Sequence, residues 1–226
     1  MYILHIETST KICSVAVSEN DRLIEVVDLP EGMNHTAQLT PAIQEILKSC
    51  HLIPKDLGAI AVSSGPGSYT GLRVGSSTAK AMSYSLKIPI IPVPTLLALA
   101  SAGFLHHPDA DVAMPMLDAR RNEVFMAMYR PDLTELVPAS SFILEDRALM
   151  ELADDFDKVI TVGDGALKLK PHLAAYVTID ISIQATARHL VKPAYAGYLA
   201  GKTSDPIHFV PFYLKPPNIT TPGKVV

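Results

Sequence analysis

The segment Gly65-Pro66-Gly67-Ser68-Tyr69-Thr70-Gly71 follows a strand-like apolar stretch and precedes a helical one. Strand, glycine turn and helix is an arrangement that aims free backbone N–H groups and the positive end of a helix at an anion. It is not a Walker A loop, because no Gly-Lys-Ser/Thr follows, and the Gly-x-Gly-x-x-Gly dinucleotide pattern fails at Thr70. The competing reading is a tight turn in which glycine supplies positive φ and close packing.

Two acidic segments form a second group, Glu7-Thr8-Ser9 and Asp118-Ala119-Arg120. Carboxylates on facing hairpin tips could organise a hydrated Mg²⁺ and phosphates, since that ion is usually held by one or two carboxylates with water. A nucleotide in a cleft between them would touch Glu7, Thr8, Ser9, Gly65, Gly67, Ser68, Asp118 and Arg120. Each tip offers one carboxylate and no nearby lysine, and the plainer reading is polar residues that terminate strands.

Histidines and cysteines argue against metal and nucleophile chemistry. His5, His35, His51, His106, His107, His172, His189 and His208 form no i, i+4 pair of the kind a helical metal site needs. Adjacent His106 and His107 point in different directions on any regular element, so surface histidines and no metal site are expected. Cys13 and Cys50 belong to no CxxC pair and fall at apolar-periodic positions, which predicts reduced core residues. No Gly-x-Ser-x-Gly elbow supports a serine nucleophile.

The elements that would position these groups follow from periodicity. Residues 3–6 and 12–17 alternate as two strands around the tip at Glu7. Leu39, Ala42, Ile43, Ile46, Leu47 and Cys50 recur at helical spacing after Asn34, a helix cap, with Pro41 expected to kink the helix or restart it at Thr40. A strand over 58–63 leads into the glycine segment. A helix over 72–86 follows, rich in the small residues that allow close backbone approach. A strand at 90–93 and a helix from a Thr95 cap to Gly103 complete the first half.

The second half opens as the first did. An offset of 111 residues lays Asp118 on Glu7 and sets Val124, Met126 and Met128 on Cys13, Val15 and Val17. A helix near 144–153, strands at 158–162 and 176–179 and helical material from Gln184 to Gly201, broken or restarted at Pro193, follow. The stretch His106-His107-Pro108-Asp109 marks the boundary, giving subdomains over 1–105 and 106–226. After an extended piece at 209–214, the tail with Pro206, Pro211, Pro216 and Pro217 is expected to be irregular.

A net charge of −4 gives no global pull on phosphate backbones, so autonomous RNA binding is disfavoured. No basic leader and no apolar stretch near 20 residues occurs, which predicts a soluble cytoplasmic protein with no membrane partner.

In order along the chain, Ile3-Leu4-His5-Ile6-Glu7-Thr8-Ser9, Cys13-Ser14-Val15-Ala16-Val17, His35-Thr36 ahead of Leu39-Thr40-Pro41, the run from Ser64 to Gly75, Leu117-Asp118-Ala119-Arg120 and Pro211-Phe212-Tyr213-Leu214-Lys215 resemble the TsaB (YeaZ) family. The resemblance implies an α/β, actin-like (ASKHA, ribonuclease H-like) fold of two related subdomains. It also implies a part in forming N6-threonylcarbamoyladenosine at position 37 of ANN-decoding tRNAs, as a non-catalytic scaffold or activating subunit. In that pathway a TsaD paralogue performs the transfer with a metal held by a His-x-x-x-His pair, which this sequence lacks. ATP and metal are therefore expected in partner subunits and not as cofactors of this chain by itself. The TsaE ATPase is a further partner, a homodimer is the alternative for the isolated chain, and tRNA is reached only through the complex.

The resemblance assigns the two N-terminal helices to pairing with TsaD or a second copy. It puts His35, Leu39, Ile43, Ile46 and Leu47 on the first, and Arg73, Gly75, Ser76, Ala79, Lys80 and Ser83 on the second, at that interface. The alternative for these residues is burial in the chain's own core. Two other functions compete: an M22-type glycoprotease-like metallopeptidase, against which the absence of His-Glu-x-x-His argues, and an autonomous ATP-binding protein of the actin-like fold. Glu7 departs from the Asp that nucleotide-using members of the wider fold generally carry, which weakens phosphotransfer.

Overall fold

The structure, a computed structural model, describes residues 1–29, 34–144, 146–169 and 177–215. His172, Tyr176, Pro216 and Pro217 lie outside the described residues. The opening alternation forms β1 (Tyr2–Glu7) and β2 (Cys13–Glu19), antiparallel, with Glu7 opposite Ser14. β3 (Arg22–Leu29) pairs with β2 and forms an exposed edge whose charged residues hide it from a search for apolar alternation.

α1 (His35–Ser49) starts where the sequence predicts, the Asn34 side chain accepting the Thr36 N–H at 3.0 Å. It runs through Pro41 as one element instead of restarting at Thr40. Proline removes one backbone donor, but Leu39, Ala42, Ile43, Ile46 and Leu47 are all buried in the core on the first sheet. Each of the buried Leu and Ile side chains contributes about 2 kcal/mol, enough to hold the helix through the proline. Then come β4 (Leu57–Ser63), α2 (Tyr69–Leu86) and β5 (Ile90–Val93). The sheet order is β3-β2-β1-β4-β5, with β1, β4 and β5 parallel.

The second sheet repeats this plan. β6 (Val112–Ala113) and β7 (Met116–Asp118) are one strand interrupted at Met114-Pro115, and both pair with β8 (Glu123–Tyr129). β9 (Glu135–Ile143) lies on the other edge of β8, while β10 (Val159–Val162) and β11 (Val177–Asp180) continue in parallel beyond β6. The constant offset of 111 does not survive the tip. Glu7 faces Ser14 whereas Asp118 faces Val124, so the second tip is a residue shorter and Phe125 stands where Val15 does. A one-residue slip exchanges the two faces of a strand. It is tolerated because β8 is buried on both: Val124, Met126 and Met128 enter one core, and Phe125, Ala127 and Tyr129 another.

Two helices cross between the sheets. α3 (Thr95–His106) packs on the second sheet, with Leu96 and Leu99 in the core of Leu117, Phe125 and Ile160. It does not end at Gly103 as the sequence suggests; there the backbone approaches β10 so closely that a Cβ would lie 2.7 Å from Ile160 Cδ1. Nor does Thr95 cap it, since the helix begins at Thr95 after Pro94 without a side-chain cap. After α4 (Asp146–Ala153) and a 3₁₀ turn at Ala187–Leu190, α5 (Val191–Leu199) returns to the first sheet, where Leu190 and Ala194 pack on Ile3, Ala59 and Ile91.

Two sequence expectations about single residues change. His5 is not a surface histidine: it is fully buried in β1, its Nε2 2.8 Å from Ser18 Oγ, and burial pushes its imidazole down to about 3. Cys50 sits half-buried at the end of α1, while Cys13 is in the core.

Candidate functional site

α2 begins at Tyr69, inside the glycine segment, with Ser68 as its cap and Ser68 Oγ accepting the Gly71 N–H at 3.3 Å. The glycine turn is therefore shorter than the sequence suggests, and three neighbours fill the space around it. The first tip packs on the helix start: the Ser68 N–H donates to Ser9 O at 2.6 Å, and Thr8 Oγ1 donates to Gly71 O at 2.8 Å. A side chain at Gly71 would strike Thr8 O, and one at Gly75 would strike Thr8 Oγ1. Gly65, at φ +105°, lies under the Phe212 carbonyl, and the Phe212 N–H donates to Ser64 O at 2.7 Å.

The tail is thus a strap. Lys80 Nζ donates to Phe209 O at 3.0 Å, Phe209 is buried in the first core, the Tyr213 ring lies tilted against Tyr69 with centroids 4.9 Å apart, and Lys215 pairs with Glu123 on the second hairpin. Arg73, expected at a partner interface, lies 5.6 Å over the Tyr69 ring.

Between the two hairpins opens a cleft of about 730 Å³. Of the residues expected there, Ser9, Gly67, Ser68, Asp118 and Arg120 line it, joined by Lys11, His35, Asp164 and Lys215, which the chemistry of the acidic tips did not single out. Glu7, Thr8 and Gly65 do not line it. Glu7 is buried beneath the tip, Oε1 accepting the Ser9 N–H at 2.7 Å and Oε2 with no hydrogen-bond partner among the described residues, and burial raises its carboxyl above the ordinary range.

The second tip is better paired, and contrary to the sequence expectation lysines do stand near the tips, Lys168 beside Asp118 and Lys11 and Lys215 in the cleft, brought there by the fold. Desolvation alone would raise the Asp118 carboxyl, but Lys168 Nζ at 2.6 Å and the Arg120 N–H at 2.6 Å hold it below its ordinary value. The Asp118 N–H donates to Asp164 Oδ1 at 2.9 Å, and burial pushes Asp164 up. Arg120 and Arg121, at φ 72° and 50°, are consecutive left-handed residues without glycine, a backbone costing roughly 1–2 kcal/mol each. Among the described residues, no three of His, Cys, Asp and Glu assemble as metal ligands.

A second depression of about 800 Å³ runs between α1 and α2. Ile43 and Leu47 form its floor, and Thr40, Gln44, Leu52, Ile53, Ser77, Ala81 and Met82 its sides. Leu39, Ile46, Gly75, Ser76, Ala79 and Ser83, expected at the interface, point into the chain's own core, while His35 approaches Lys11 O at 3.2 Å on the cleft side. A helix lying on a sheet buries its most apolar stripe there. The outward face is the milder one, with Ala81 exposed and Ile53 58% exposed beyond the helix end. No helix among the described residues is long and apolar enough to cross a membrane.

A family model described as TsaD, tRNA N6-adenosine threonylcarbamoyltransferase, matches residues 30–195. The tRNA threonylcarbamoyladenosine biosynthesis protein TsaB of Bacillus subtilis (strain 168) is 32% identical, the alignment covering 95% of this chain and 94% of that one. The protein of the same name from Haemophilus influenzae is 30% identical over 94% of this chain and 93% of its own. The solved structure of YeaZ from Pseudomonas aeruginosa superposes with a TM-score of 0.76 at 22% identity, over 94% of this chain and 99% of that one, a likeness of fold.

Proposed function

The chain belongs to the TsaB family, and from that membership we propose that it acts in forming N6-threonylcarbamoyladenosine on ANN-decoding tRNAs as a non-catalytic subunit that holds a TsaD transferase subunit in its active arrangement. The observation that carries this is the groove between α1 and α2: an apolar floor of Ile43 and Leu47 with low walls at Ser77 and Ala81, suited to receive helices of a partner. A second copy of the chain occupies the same face when the transferase subunit is absent, and a TsaE-type ATPase joins the assembled pair.

The chain works without a nucleotide of its own. Supporting this, the Ser68 N–H is committed to Ser9 O, Glu7 is sealed below the tip, and Gly65 is covered by the strap. Backbone that takes up the Ser68 N–H and covers Gly65 supports a turn that holds the fold in place of a phosphate cradle.

The test is reconstitution. The transferase subunit, a TsaE-type ATPase, an activated threonylcarbamoyl donor, ATP and tRNA are combined with or without this chain, and modified nucleoside is measured in tRNA digests. Activity that requires the chain, together with co-purification of the two proteins, is expected. Full activity without it overturns the proposal.

A further inference from the structure

Resting on that reading, we propose that the Arg120-Arg121 tip, with Lys11 across the cleft, grips the phosphate backbone of RNA, so that this chain itself touches the tRNA once assembled. Both arginines are exposed, and neither guanidinium has a hydrogen-bond or ion-pair partner among the described residues. Three carboxylates stand close by, yet each is engaged elsewhere. Asp118 is taken by Lys168 and the Arg120 backbone, Glu123 by Lys215, and Asp164 by the Asp118 N–H. Two of these acids are held by lysines, and Lys11 faces Asp118 and Asp164 across the cleft, which leaves the two guanidinium groups without a partner among the described residues in a chain whose net charge is −4.

The backbone points the same way. Two successive residues stand at positive φ, a backbone that Asn and Gly adopt with less strain, and this chain places two arginines there. Strain retained at an exposed tip, where nothing packs on the side chains, is accounted for by what those side chains bind. Arginine's planar fork suits phosphate, and two exposed guanidinium groups with Lys11 lining the same cleft suit a salt-sensitive contact.

The experiment measures binding of an unmodified ANN-decoding tRNA transcript to the assembled complex by fluorescence anisotropy between 50 and 200 mM salt, concentrations chosen from the range over which such contacts weaken. Arg120→Asn/Arg121→Gly should weaken Kd about tenfold and lower the slope of log affinity against log salt by about one to two. The same change should raise the chain's own Tm by about 3 °C, because the turn is relieved. Arg120→Lys/Arg121→Lys, which keeps the charge, should retain most of the slope. Arg22→Ala/Arg130→Ala, which removes equal charge elsewhere, should stay within about twofold of wild type. Wild-type affinity and slope in the Asn-Gly variant overturn the proposal. So does equal loss in the distant control, or loss of the protein partner in place of tRNA. A wild-type complex that reconstitutes activity while the tip variant binds tRNA normally removes this contact alone; one that neither modifies nor binds tRNA removes the functional reading with it.

Discussion

The Phe212 carbonyl occupies the space that a side chain on Gly65 would need, and the Phe212 N–H is bonded to Ser64 O at 2.7 Å. Gly65→Ala therefore meets two penalties, a positive φ and a collision with backbone that cannot rotate away. It should destabilise the chain by about 2–3 kcal/mol and release the strap. Denaturant unfolding gives the first number, and limited proteolysis between Val210 and Lys215 reports the second. A stable Gly65→Ala variant with its strap intact contradicts this account of the turn.

Thr8 and Gly75 make a coupled pair. Gly75→Ala alone drives a methyl into Thr8 Oγ1 and should cost about 2 kcal/mol. Thr8→Ala removes that oxygen, so the second substitution should cost at least ~1 kcal/mol less in its background. Additive costs in a double-mutant cycle would mean that the helix and tip are not in direct contact.

Two buried groups give opposite pH slopes. His5 is held neutral down to about 3 against an ordinary 6.5, so as pH falls the unfolded chain takes up the proton first. Its contribution is complete above 6.5 and is lost towards pH 3, at about 1.4 kcal/mol per pH unit. Glu7, raised by burial, contributes below its ordinary 4.5 and loses that contribution as pH rises through its folded value. As pH falls below 6.5, His5→Gln should lose less stability than wild type, and as pH rises above 4.5, Glu7→Gln should lose less than wild type.

Ala81 stands exposed on the wall of the groove between α1 and α2. Ala81→Arg should leave the Tm within about 2 °C of wild type, as a surface change, while weakening association with the transferase subunit by at least about tenfold. Titration calorimetry with the purified partner decides it, and unaltered affinity would move the interface elsewhere.

Much of the fold is written locally. The alternation around Cys13, the Asn34 cap and the apolar run ending at Ser63 each specify an element without help from distant residues. β3 is hidden because an edge strand bearing Arg22, Glu25 and Asp28 has no buried face to pattern. Gly103 misleads because its role is contact with Ile160, which only the assembled sheet supplies. The site is less legible still. Periodicity finds the stripe of α1 that faces its own sheet and passes over the outward residues Thr40 and Gln44, while the Lys80 and Phe212 contacts join residues more than a hundred positions apart.

The crossing of α3 onto the second sheet and α5 onto the first ties the two lobes as interlocked hands are tied. A chain severed between residues 105 and 106 would leave each fragment carrying a helix that belongs to the other and an uncovered sheet of its own. The lobes should therefore fold as one unit, and heat should unfold them in one transition, with the calorimetric enthalpy of the whole chain under a single peak.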